Sequence, residues 1–216
     1  MGGPDDANVP APSVPDDRLD GGERVEGSVD RLYGVEGADI RGHTVLYEDR
    51  RLREAVREAT GSAVDQSWRF FFATRLAFRP PLAPGTRALV LPAVRTEATR
   101  SFLEDLRDRG VEDTDRGRDE RIRTDDRERL RLRQVTGTLP TPGGDVPVEG
   151  WVCVRHTDDI YVVGGAYPRT SLARALGVDI GGTDGEGSGT EDLESPLARD
   201  PADYRDELFA LVGAVN

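Results

Sequence analysis

Arginine is concentrated in two stretches of this chain. Gln66–Leu103 holds six Arg against one acid, Glu97, and Arg116–Arg133 holds eight Arg against five acids. In the first, Arg69, Arg75 and Arg79 occupy odd positions, while Trp68, Phe70, Phe72, Leu76 and Phe78 occupy even ones. A strand there puts the apolar set on one face and the three Arg on the other. In the second, Arg129, Arg131 and Arg133 alternate with Leu130 and Leu132 in the same way. A guanidinium is a planar fork of donors that fits carboxylate or phosphate. If the two strands are neighbours, the rows form one cationic surface for an anionic ligand, an RNA backbone or an acidic partner. The structural alternative is that each row pairs with Asp and Glu on adjoining elements, or receives the chain's own acidic tails. That alternative is the preferred one.

The remaining reactive groups are few. Cys153 and His156 are three apart on one strand, so they face opposite ways and form no local Cys-His dyad. Cys153 reads as a small buried residue, although His43 could meet it through the fold. Trp151, Tyr161 and Tyr167 sit at odd positions of an apolar hairpin, away from Val152, Val154, Ile160 and Val162. They are either covered by a helix, which is preferred, or exposed as an aromatic binding patch. Gly164-Gly165 within the same hairpin points to a bulge or a close backbone approach. Should the chain be an enzyme, Arg79, Arg95 and Arg100 are the anchors for an anionic substrate, with an Asp or Glu as base.

All 29 positive side chains are Arg, so a Walker lysine, a Schiff-base lysine and a Ser-Lys dyad are excluded. No Gly-x-Gly-x-x-Gly follows a strand, and two His with one Cys cannot make the usual structural zinc sets. No catalytic residue, metal or cofactor is therefore assigned. A lone cysteine permits no intrachain disulfide, in keeping with a reducing compartment.

Against the Arg stand 41 Asp and Glu, giving a net charge of -12. Residues 1–30 carry a net of -6 and residues 176–216 a net of -8, so the middle of the chain is close to neutral. Arg without Lys, together with surplus acid, is the pattern of a GC-rich halophile with molar salt in its cytosol, where the acid keeps the protein soluble. Salt of that strength weighs against a nucleic-acid partner. The Debye length falls to about 3 Å at 1 M, phosphate-backbone affinity falls steeply with salt, and only Phe71 remains on the Arg face for stacking. The N-terminal sequence shows no secretory pattern and no apolar run is long enough for a membrane helix, so a cytoplasmic protein is expected.

The elements that must position these residues are largely readable. Residues 1–28 read as a disordered acidic tail, 29–178 as one domain, 179–199 as a flexible acidic Gly-rich linker, and 200–216 as a helix docked on the domain. Thr44–Tyr47 is a strand. Asp49 caps a helix through Ala59 that buries Leu52 and Val56 and stops before Gly61. Trp68–Arg79 and Ala88–Val94 read as strands, and Thr96 as the cap of a helix ending before Gly110. Residues 120–139 read as a hairpin broken near Asp125-Asp126. Val148–Arg155 and Ile160–Ala166 form a second hairpin, and a short helix follows at Ser171–Leu176. Asp200 and Pro201 open the last helix, whose Tyr204, Leu208, Leu211 and Val212 form its docking face. Runs of strands with few crossover helices predict an α+β fold: one mainly antiparallel sheet flanked by two or three helices.

The blocks Trp68-Arg69-Phe70-Phe71-Phe72-Ala73-Thr74-Arg75, Arg123-Thr124-Asp125-Asp126, Val148-Glu149-Gly150-Trp151 and Gly164-Gly165-Ala166-Tyr167-Pro168 resemble those of a family of uncharacterised haloarchaeal proteins, over roughly residues 30–170. The resemblance implies habitat and no chemistry. The element order is also similar in layout to the Mog1/PsbP-like fold, whose members commonly bind proteins. The leading expectation is a non-enzymatic binding or adaptor module that takes a protein partner or a small anion. An enzyme with a dispersed Arg/carboxylate site, and an RNA-associated protein, are the alternatives.

Overall fold

Among the described residues, seven strands form one antiparallel sheet in the order β1-β2-β3-β7-β6-β5-β4. They are β1 (Gly22–Val35), β2 (Ala38–Asp49), β3 (Phe70–Arg79), β4 (Glu112–Arg123), β5 (Arg129–Leu139), β6 (Val146–His156) and β7 (Ile160–Pro168). The helices are α1 (Arg50–Ala59), α2 (Arg87–Asp108), α3 (Leu172–Ala175) and α4 (Pro201–Ala214). The computed structural model describes residues 9–15, 22–35, 38–83, 85–124, 127–156, 158–178 and 195–216. The chain meanders through β1, β2 and β3, crosses by α2 to the far edge, and meanders back through β4 to β7 beside β3. The fold is α+β with an antiparallel sheet, as the strand runs predict.

The central strands are apolar on both faces because both faces are covered. All nine residues of β7 are buried, as are six consecutive residues of β6. Phe70, Phe72, Gly150, Val152, Val154, Val162 and Gly164 share one face, under α2. Phe71, Ala73, Trp151, Cys153, Val163 and Tyr167 share the other, where α4 packs on β7. Side chains of α2 and α4 each pack over a glycine of the sheet. A Cβ on Gly150 would stand 2.9 Å from the Phe102 ring, and one on Gly165 would stand 3.0 Å from Leu208 Cδ1 and 2.3 Å from the Phe70 carbonyl. The Gly164-Gly165 pair is therefore a close approach, and the β7 register runs through it without a bulge.

Local chemistry sets the helix ends. The Asp49 carboxylate accepts from Leu52 N at 3.0 Å, and Asp200 accepts from Ala202 N at 2.8 Å ahead of Pro201. Gly61 and Gly110 follow α1 and α2 in the left-handed conformation. Tyr204, Leu208, Leu211 and Val212 form the buried stripe of α4, as their spacing predicts.

Three expectations are corrected. Ala88–Val94 is helical and forms the start of α2, with Pro92 inside it. A short apolar run has no period of its own, so the continuous i+4 series Val94, Ala98, Phe102 and Leu106 decides its state. The donor that Pro92 lacks would have served the exposed start of the helix, where water can satisfy the carbonyl. Thr96 accordingly does not cap; its hydroxyl donates to Pro92 O at 3.0 Å. Second, order begins before residue 29. β1 opens at Gly22, Val9 and Val14 are buried, and Ser13 exchanges two backbone hydrogen bonds with Asn216, of 2.7 and 3.0 Å. Third, β4 extends back to Glu112 and β2 to Ala38. The expected linker at 179–199 lies outside the described residues up to 194. β1 and β4 are the sheet edges, and both carry charge and register shifts, which blunt edge-to-edge pairing.

Candidate functional site

The two Arg rows do not meet. β3 and β5 are separated by β7 and β6, and the rows lie on opposite faces of the sheet. The single cationic surface expected from Arg69, Arg75, Arg79, Arg129, Arg131 and Arg133 is therefore corrected. The reason is register: Arg75 stands opposite Tyr161 on the α4 face, while Arg133 stands opposite Val152 on the α2 face. Most of these Arg are also paired. Arg69 binds Asp49 at 3.1 Å and Glu207, and Arg75 binds Asp159. Arg131 and Arg133 share the Asp119 carboxylate, Arg133 Nε standing 2.6 Å from it. That double grip, led by the Arg131 hydrogen bond, holds the Asp119 carboxyl below the usual carboxylate range.

The aromatic surface is corrected as well. Trp151, Tyr161 and Tyr167 are buried. Phe209 of α4 stacks edge-on against Trp151 at 5.3 Å, and Trp151 Nε1 donates to the Tyr167 hydroxyl at 3.1 Å. For Trp151 and Tyr167 the alternative of burial under a helix is the one the fold adopts. Tyr204 of α4 lies beside Tyr167, with the Arg69 and Arg199 guanidiniums each 5.0 Å from its ring centre. Burial, with the nearby Asp49 charge, pushes its phenol up to about 12.

Cys153 and His156 point to opposite faces, as their spacing requires, and β7 and β3 separate Cys153 from His43 on β2. The His43 Nδ1 is 2.7 Å from Val9 O. Desolvation, aided by Glu128, pushes the Cys153 thiol up to about 12, which favours its protonated form. The three proposed anion anchors do not converge either. Arg100 is held by Glu97 and Glu104 on α2 itself, and Arg79 stands at the end of β3 opposite Asp39. Arg95 lines a cavity.

That cavity is a cleft of about 370 Å³ between α2 and strands β4, β5 and β6. Arg95 comes from α2, Arg116 from β4, and Arg131 and Arg133 from β5; Asp119 is its single acid. Val152 and Val154 form the floor. Among the described residues, Arg95 and Arg116 make no side-chain ion pair or hydrogen bond. Four guanidiniums against one carboxylate give the cleft a cationic lining whose donors suit carboxylate or phosphate geometry. Sequence reading located Arg95, Arg131 and Arg133 without joining them, and missed Arg116 and Asp119. Their signal was the charged run 116–123 itself, which becomes a site only because β4 pairs with β5.

A second cavity of about 260 Å³ lies on the other flank of α2, over β2 and β3. Leu46, Phe72, Phe102 and Val162 line it together with the hydroxyls of Thr44, Thr74 and Ser101 and the Asp105–Arg109 ion pair. Thr44 and Thr74 are hydrogen-bonded to each other at 2.9 Å. Among the described residues no three His, Cys, Asp or Glu are grouped to hold a metal, and no helix is long and apolar enough to cross a membrane.

Fold and site together define an α+β protein with one antiparallel sheet between helices and an arginine-lined cleft at the edge of one helix. The chain belongs to the family described as a domain of unknown function, DUF6517, whose model matches residues 11–216. Neither a curated protein nor a solved structure matches it.

Proposed function

We propose that the protein is a non-enzymatic binding module of a salt-loaded archaeal cytosol, and that the Arg-lined cleft beside α2 is its ligand site. The observation behind this reading is the convergence of Arg95, Arg116, Arg131 and Arg133, two of them without an acidic partner among the described residues. A guanidinium left unpaired at a cleft mouth keeps its donors for an incoming anion, and the Asp119 carboxylate already shows how such a group is gripped. In molar salt the Debye length is only about 3 Å, so recognition must be by contact and bidentate geometry rather than long-range attraction. A small or locally projecting anionic group fits that requirement. A nucleic-acid backbone fits it poorly, because the paired rows on opposite faces leave no continuous cationic track. Among the described residues that line the cleft, the one carboxylate is paired with two Arg, and Cys153 is buried on the other face of the sheet.

The test is a titration with acetate and with inorganic phosphate in molar KCl, followed by the arginine Nε–H resonances. Shifts confined to Arg95, Arg116, Arg131 and Arg133, and abolished by Arg95→Gln with Arg116→Gln, are expected. Shifts spread evenly over all Arg, or none, would overturn the reading.

A further inference from the structure

The ribbon of β4 and β5 has one covered face and one open face. Leu130 and Leu132 are buried on the α4 side, where Glu120 reaches Arg205 of α4. On the other side, strand pairing sets three successive rungs: Arg123 opposite Arg129, Arg121 opposite Arg131, and Asp119 opposite Arg133. The third rung is balanced, because the Asp119 carboxylate takes both Arg133 and the neighbouring Arg131. The first two rungs hold four Arg and no acid. Arg121, Arg123 and Arg129 are exposed, and among the described residues they make no side-chain ion pair or hydrogen bond. Arg131 spends Nε and one terminal nitrogen on Asp119 and keeps the other. Like charges directly opposite on a sheet face repel, at Cβ separations of about 4.5–5.5 Å. An acid in either rung would turn that repulsion into attraction, and a chain with 41 acids has no shortage of them.

We infer that this face docks an extended acidic segment of a partner protein. Successive rungs are two residues apart, about 6.8 Å at the usual strand rise. An extended polypeptide presents every second side chain on one face at that same interval. A segment with acids at alternate positions therefore places one carboxylate over each rung. Each carboxylate lies between two guanidiniums, the arrangement that Asp119 already shows with Arg131 and Arg133. Such direct contact withstands salt screening better than a diffuse field does. A nucleic acid suits the face less well, since β4 and β5 contain no aromatic ring on which a base could stack. The surface meets the cleft at Arg131 but uses three arginines outside it, so it goes beyond the cleft as an anion site.

The experiment titrates two end-capped peptides of one composition in molar KCl, the alternating Glu-Ser-Glu-Ser-Glu and the blocked Glu-Glu-Glu-Ser-Ser, and follows the arginine Nε–H resonances. The alternating peptide is expected to shift Arg121, Arg123, Arg129 and Arg131, and to bind about fivefold tighter or more. Arg121→Gln with Arg123→Gln and Arg129→Gln is expected to remove that preference. If this variant fails to fold, the map of shifted resonances in the unsubstituted protein decides alone. Equal affinity for the two peptides, or shifts that miss these arginines, overturns the inference. An oligouridylate of matching charge that binds tighter at the same arginines overturns it in favour of nucleic acid. Changing the acids of 179–194 to their amides is expected to leave the four resonances of the peptide-free protein in place; a change there makes the chain's own acid the occupant and overturns the partner. No peptide binding while acetate still shifts Arg95 and Arg116 overturns this surface and leaves the cleft standing. Peptide bound at the ribbon without any acetate response in the cleft does the reverse.

Discussion

Arg155 is the clearest case of a residue whose role only its surroundings reveal. It is 3% exposed, pairs with Glu128 at 2.9 Å, and donates to the carbonyls of Gly213, at 3.1 Å, and Val215. Gly213 lies in the last turn of α4 and Val215 is its C-cap, where carbonyls lack partners within the helix. Arg155 thus ties the C-terminal turn of α4 to β6. Arg155→Gln leaves Glu128 and two carbonyls without a charged donor, and is expected to cost about 2–4 kcal/mol, measured by urea unfolding in molar KCl. A loss below about 1 kcal/mol would mean that water replaces the guanidinium. Cys153, two residues earlier, allows a test of sign. Its thiol stays protonated in the fold up to about 12, whereas an exposed thiol ionises near about 8.5. Between those values the unfolded chain binds fewer protons than the folded one, so stability falls as pH rises. Cys153→Ala should flatten that part of the alkaline decline, and native Cys153 should resist alkylation at pH 8 until denaturant is added.

At the scale of elements, α4 and α2 play different parts. α4 covers Trp151 and Tyr167 with Phe209, Tyr204 and Leu208, leaving Trp151 at 0% exposure. Deleting residues 201–216 would uncover that face and remove the two carbonyl partners of Arg155. The truncated chain is expected to aggregate, or to bind a hydrophobic dye, under conditions where the full chain does neither. α2 lies between two cavities. Hydrogen exchange in α2 should slow when an anion occupies the cleft beside it. The edge strands explain why part of the sheet escapes sequence reading. β4, Glu-Asp-Thr-Asp-Arg-Gly-Arg-Asp-Glu-Arg-Ile-Arg, shows almost no apolar alternation. Its pairing with β5 supplies the order that composition does not, and the same holds for β1 against β2.

Over the whole molecule, charge sets the conditions for folding. A net charge of -12 is a self-repulsion that salt relieves. Raising KCl from about 0.1 M to about 1 M shortens the Debye length from about 10 to about 3 Å, and is expected to raise the thermal midpoint. Exposed pairs such as Arg50–Glu54 weaken over the same range, yet such pairs are worth little individually. A midpoint that fell with salt would show that the ion-pair network outweighs the repulsion.

The sequence by itself determined the fold class, the helix caps at Asp49 and Asp200, the buried stripe of α4, and the two-faced alternation of β3 and β6. These depend on neighbours within a turn or two, where periodicity and capping chemistry act directly. It also determined which cations exist to bind an anion. Only the tertiary structure decided which of them meet. Register and strand order put Arg75 and Arg133 on opposite faces, closed α4 over the aromatic row, and brought Arg95 of a helix beside Arg116, Arg131 and Arg133 of two strands. A one-residue change of register would reverse every one of those faces. That choice is made by packing across the whole sheet, which no local stretch of sequence contains.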